Sequence, residues 1–268
     1  MSIPPGKKEY EIENDKIVAF GVSHTEDEML DALCSSVYER ICDLNGCEEI
    51  VGGLQDTGFD SAVIMQKLFP YVNRQAWEIG EAYAQSYAEE NLSACIPWGI
   101  SRDIKKPGSS LPGADIVGLY RDAESTYFLF GEVKTSSDRN VPPGVMYGET
   151  GLKKQLEDFC TDKNLVRQLV VYLAHRLKQD SNLWVGYKEA AIRYFQSEDN
   201  IHVLGILVRD IPPDMADLAA RASGMECYAV NGRVIELLGI YVPVGRIGDF
   251  SRMIREEYER RSASDAEE

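Results

Sequence analysis

The sequence predicts an α/β fold, and three features carry that prediction. Tyr127 to Gly131 is a continuous apolar run, the pattern of a central strand covered on both faces. Arg74 to Leu92, RQAWEIGEAYAQSYAEENL, has the composition and periodicity of a long helix. Between residues 74 and 210 the helix-type and strand-type segments follow in the order α-β-β-β-α-β.

Lys16 to Val22 holds a short strand. A helix is expected from about Thr25 to Asp43. Ser23 or Thr25 can cap it, Glu26, Asp27 and Glu28 suit its N-terminus, and Leu30, Leu33, Val37 and Ile41 line one face. A second short helix is expected over 59–69. The core then runs from the 74–92 helix to a strand near 95–101, a strand headed by Asp115 and a strand from Tyr127 to Thr135. Helices at about 150–160 and 164–178 and a strand at 201–209 complete it. A helix near 214–223, a strand from Val234 to Val242 and a charged helix near 246–261 form a C-terminal extension. The expected organisation is an N-terminal elaboration over 1–73, a core over 74–210 and an extension with an acidic tail over 211–268.

Composition narrows the class. At 268 residues, 44% hydrophobic and 27% charged, the chain can bury a full core. No apolar run approaches the ~20 residues of a membrane span. The start, MSIPPGKKE, lacks a signal-peptide apolar region, so a cytoplasmic location is expected. Six scattered cysteines without a C-x-x-C read as reduced thiols, and three distant histidines suggest no zinc site. Carboxylates with magnesium fit this inventory better.

The chemistry concentrates in residues 111–136. A Pro-Gly turn leads to Asp115 at the head of the strand ADIVGLY, and the next strand carries Glu132-Val133-Lys134. Residues i and i+2 of a strand share a face, so Glu132 and Lys134 point together and Val133 points to the other layer. The bland alternative is a solvent-facing pair on an amphipathic strand. Charges at the end of a buried strand are costly unless paired or metal-bound, which favours a site. Asp103-Ile-Lys105 repeats the acid-x-Lys spacing in a stretch with no strand pattern and is treated as a decoy.

Gly113-Ala-Asp115 and Glu132-Val-Lys134 together resemble the Pro-Asp and (D/E)XK elements of the PD-(D/E)XK nuclease superfamily. The resemblance covers 74–210 and implies a restriction-endonuclease-like αβββαβ core, its mixed central sheet flanked by helices. It implies that Asp115, Glu132 and the Val133 carbonyl hold Mg²⁺ or Mn²⁺, and that Lys134 orients water or stabilises the transition state. Gly80-Glu81-x-x-Ala84 resembles the entry-helix signature of such nucleases; of Glu78 and Glu81, Glu81 is chosen as the further acid. Gln168-x-x-x-Tyr172 resembles the substrate-contacting Gln and Tyr of RecB-like members, with Gln155 and Phe159 a poorer match. The lack of cysteine spacing argues against the iron–sulfur cluster that some relatives carry.

A net charge of −16 opposes DNA, whose affinity for proteins comes mainly from Lys and Arg. Lys105-Lys106 and Lys153-Lys154 offer a local basic rim. No G-x-x-x-x-G-K loop is present, so no ATPase motor is expected in the chain. The layout is similar to the HamA/AbpA-like nuclease subunits of Hachiman-type bacterial anti-phage defence, which implies a helicase partner that supplies the grip on DNA. The competing expectations are a stand-alone restriction endonuclease and an inactive nuclease-fold scaffold that binds and regulates a partner.

Overall fold

The computed structural model describes residues 3–99, 102–103, 113–230 and 232–265. The α/β class expected from the sequence is the class observed. A seven-stranded mixed sheet forms from β1 (Lys7–Glu11), β2 (Val18–Ser23), β3 (Ala94–Cys95), β4 (Ile116–Arg121), β5 (Thr126–Ser136), β6 (Ile201–Arg209) and β7 (Val234–Tyr241), in the order β1-β2-β7-β6-β5-β4-β3. The four central strands β2, β7, β6 and β5 are parallel, and antiparallel pairs close both edges. Parallel central strands are covered on both faces, and every residue of β6 is buried.

One face carries α1 (Glu26–Cys34), α2 (Ser36–Cys42), α5 (Ala76–Asn91) and α10 (Phe250–Asp265), packed on Leu129, Val133, Leu204 and Ile206. The other carries α6 (Leu152–Thr161), α7 (Lys163–Arg176), α8 (Asn182–Gln196) and α9 (Ala216–Met225), packed on Phe128, Phe130, Val203 and Leu207. The odd–even split along β5 and β6 is the strand period dividing its side chains between two layers. α3 (Leu44–Gly53) and α4 (Ser61–Leu68) complete the N-terminal part.

Three expectations need correction. The single helix over 25–43 is two helices, broken at Ser35, whose φ of −124° and ψ of −106° are not helical. Of the two expected caps, Thr25 closes the first helix, in a capping box with Glu28. The strand near 95–101 is only Ala94–Cys95, and residues 100–101 lie outside the described residues. β1, α3 and α8 were not anticipated. The sheet also extends past the expected core: β2 pairs in parallel with β7, so the N-terminal and C-terminal stretches add strands to it. Among the described residues no helix is long and apolar enough to cross a membrane.

α5 is placed by close packing. A Cβ at Gly80 would lie 2.0 Å from Thr135 Oγ1, so only glycine lets the helix sit this close to β5. Gln75 and Glu78 form a capping box at its start, and Glu78 also pairs with Arg74. Residues 78–88 of α5 are all buried.

Candidate active site

The β4–β5 ladder ends at Ile116 opposite Gly131, which leaves Asp115 opposite Glu132 just beyond it. Asp115 Oδ2 accepts the Val133 N–H at 2.9 Å, fixing the carboxylate against β5. Gln85 of α5 donates its amide to the Asp115 carbonyl at 2.7 Å, fixing the backbone from the other side. In an antiparallel ladder one residue presents its N–H and C=O to the same neighbour. The Val133 carbonyl therefore opens toward Asp115, where β4 no longer pairs with β5.

Glu132 is 3% exposed, and its Oε1 accepts the Lys134 ammonium at 2.7 Å. Both lie on the face of β5 that carries Phe128 and Phe130, while Val133 joins the opposite core. Glu81 enters from α5, buried, with Oε2 unpaired among the described residues. Glu78, its sequence rival, is spent on the helix cap and Arg74, which leaves Glu81 as the α5 acid available to the site.

The electrostatics follow from three buried acids beside one lysine. Burial, then the charges of Asp115 and Glu132, push Glu81 up to about 9. Burial and Asp115 push Glu132 up to about 8, against the pull of Lys134. Burial raises Asp115 as well, opposed first by the Val133 N–H. Such a set favours binding protons or a cation.

Its donor chemistry fits a hard divalent ion: carboxylate oxygens, with an unpaired Glu81 Oε2 and no thiolate or imidazole among these groups. Asp115, Glu132 and the Val133 carbonyl are the groups that would hold it. Among the described residues, however, no three His, Cys, Asp or Glu side chains stand close enough to form a ready metal cage. The acids share a field, with Oδ2 of Asp115 and Oε1 of Glu132 already engaged.

The structure does not bring the remaining sequence candidates to this point. Gln168 is exposed on α7. The Tyr172 hydroxyl donates to Asp103, which also accepts Trp98 Nε1 at 3.0 Å and pairs with Arg176. Asp103, set aside in the sequence as a decoy, is thus the anchor of Tyr172. Among the described residues neither Gln168 nor Tyr172 hydrogen-bonds to Asp115, Glu132 or Lys134. Gln155 stands on α6, which packs directly on β5, and its Oε1 is buried and unpaired.

Of the basic rim, Lys153 pairs with Glu157 and Lys154 with Asp158, each one turn along α6. Lys105 and Lys106 lie outside the described residues. His24 is held by the Pro4 carbonyl and the Tyr83 hydroxyl, His202 pairs with Glu236, and His175 is exposed. All six cysteines are free. Gln85 and Thr135 carry no signal in the sequence as site-forming residues; the glycine of Gly80-Glu81 is the signal for a close helix–strand approach. No protein-family model matches the chain, and none of the curated proteins is significantly similar to it in sequence.

Proposed function

We propose that the chain is a metal-dependent nuclease that hydrolyses DNA phosphodiester bonds, with Asp115, Glu132 and Lys134 as its catalytic residues. One observation carries this reading: Asp115 and the Glu132–Lys134 pair meet where β4 and β5 cease to pair. Helix order supports it too, since α5, β3, β4, β5, α6 and β6 follow as α-β-β-β-α-β, with α7 and α8 inserted before β6.

A bound Mg²⁺ or Mn²⁺ would neutralise the scissile phosphate and lower the pKa of a coordinated water. Asp115, Glu132 and the Val133 carbonyl would supply its oxygen ligands. Glu81 orients the attacking water from α5. Lys134, fixed at 2.7 Å from Glu132, places a positive charge where charge develops in the transition state.

The test is cleavage of labelled DNA in Mg²⁺ or Mn²⁺ by the wild type, Glu132→Gln and Lys134→Ala. Loss of a preorganised charge partner costs about 3–4 kcal/mol, roughly a hundredfold to thousandfold in rate. Folded variants that cut as fast as wild type refute the assignment. The lack of a preassembled three-ligand group favours a second reading, a nuclease-fold scaffold. A wild type that binds no metal and cuts nothing, alone or with its partner, would establish that reading.

We further propose that the chain is the effector subunit of an anti-phage complex with a helicase. Its support is the charge of −16, which leaves the grip on DNA to another protein. A helicase that co-purifies with the chain is the expected finding; a methyltransferase would favour a restriction enzyme.

A further inference from the structure

Buried arginines outside the candidate active site have donors that nothing in the fold satisfies. Arg221, on α9, is 7% exposed. Its guanidinium lies 4.2 Å from the ring centre of Tyr147. Its Nε and Nη2 have no hydrogen-bond partner, and no acid stands within ion-pair distance among the described residues. Nε and Nη2 form one edge of the guanidinium, the fork that grips two oxygens of a carboxylate or phosphate. Burying a charge without a counter-ion is expensive, so an unpaired fork on a buried arginine points to an anionic ligand.

A second cation lies over the same helix. A Cβ at Gly224, three residues along α9, would lie 2.5 Å from Lys153 Cε and 3.4 Å from Lys153 Nζ. The glycine lets the Lys153 side chain lie over α9 on the side that carries Arg221. Lys153 keeps an ion pair with Glu157 at 2.6 Å and remains partly exposed, 35% for the side chain.

The roof is the segment 137–150, which leaves β5 just after Lys134. It rests on Arg209, which is fully buried and donates Nη2 to the Asn140 carbonyl at 3.0 Å. Arg209 is aligned with Ser136 in the β5–β6 register, two residues past Lys134 on the same face. The roof residue over Arg221, Tyr147, is 56% exposed.

We infer that Arg221 and Lys153 form an oxyanion site at the seam of α6 and α9, under Tyr147, that takes a phosphate group. A planar fork joined by a point cation from another helix suits a tetrahedral set of oxygens. The phosphate has two sources of the same chemistry: a nucleic-acid strand passing the carboxylates, or a free phosphate. Only the first rests on the nuclease reading.

The experiment has two arms, both with the full chain. In the first, thermal unfolding is followed in potassium phosphate against potassium chloride at equal ionic strength and pH, with chelator present. The wild type gains melting temperature saturably with phosphate, because a ligand of the native state stabilises it. Arg221→Gln loses the gain; Arg221→Lys and Lys153→Ala, a milder change at a partly exposed position, reduce it. Circular dichroism confirms folding, and Lys153→Ala carries the comparison if the Arg221 variants do not fold. No saturable gain in the wild type, or an equal gain in folded variants, overturns the inference. This arm involves neither metal nor cleavage, so its failure leaves the nuclease reading intact.

In the second arm a fluorescent single-stranded oligonucleotide is titrated without activating metal. Binding at least tenfold weaker in Arg221→Gln assigns the site to the strand. Unchanged strand binding with a lost phosphate response assigns it to free phosphate.

Discussion

Replacing Gly80 by alanine tests the packing that brings Glu81 to the carboxylates. The new Cβ would lie 2.0 Å from Thr135 Oγ1, 2.9 Å from Cγ2 and 3.0 Å from Cβ. Ordinary non-bonded contacts sit at about 3.5–4.0 Å. Thr135 is β-branched and stiff, so relief must come from separating α5 and β5. Overpacking of this kind costs about 1–3 kcal/mol. Alanine in place of glycine inside a helix returns about 1 kcal/mol. The expected net loss is therefore about 0–2 kcal/mol, read as a lower urea midpoint at unchanged m-value. Thr135→Ala removes Oγ1, which is buried and unpaired, together with the methyl group that also clashes. The double variant should recover most of the overpacking cost, only the 3.0 Å approach to Cβ remaining, with a favourable coupling of about 1–2 kcal/mol. DNA cleavage should fall in the single variant and return in the double one, because Glu81 follows Gly80 in the chain. Strictly additive effects in the double variant would refute the packing argument.

The acids make stability depend on pH in a definite direction. Glu81 and Glu132 titrate in the folded chain near 9 and 8, above the ordinary 4.5 of a glutamate. Above that ordinary value the folded state holds protons that the unfolded chain releases, so stability falls as pH rises from about 4.5 toward 8–9 and then levels. Urea midpoints in chelator across this range should show the decline, and Glu81→Gln with Glu132→Gln should flatten it. Mg²⁺ or Mn²⁺ should activate cleavage and raise the melting temperature, an effect absent in Glu132→Gln; full activity in excess chelator would exclude the metal route. The isolated chain should bind duplex DNA weakly at physiological salt and the helicase-bound complex tightly; tight, salt-resistant binding by the chain alone would argue for a stand-alone enzyme.

What the sequence made legible is what local periodicity encodes. β5 and β6 are continuous apolar runs because both faces are covered, and their limits were read within one residue. The 74–92 helix was visible from composition and spacing. α8 was not, because Val185, Ile192 and Phe195 are exposed and blur any single apolar face. β3 has only two residues, too few to show a period. The break at Ser35 is a backbone event inside a good helical pattern.

The site divides along the same line. Asp115, Glu132 and Lys134 were readable because their relation is set within two paired strands, where spacing fixes direction. Tyr172 shows the complementary limit. The i, i+4 spacing with Gln168 says that two side chains share a helix face, but not what faces them. The fold places Asp103 there, 69 residues away in sequence, and its carboxylate takes the hydroxyl. Glu78 and Glu81 show how a local rule can still decide between rivals. Glu78 is three residues past Gln75, at the position where a glutamate closes a capping box, so its carboxylate is committed before any site forms. Glu81, one turn later, has no such local partner, and burial without one leaves it to answer the charges of Asp115 and Glu132.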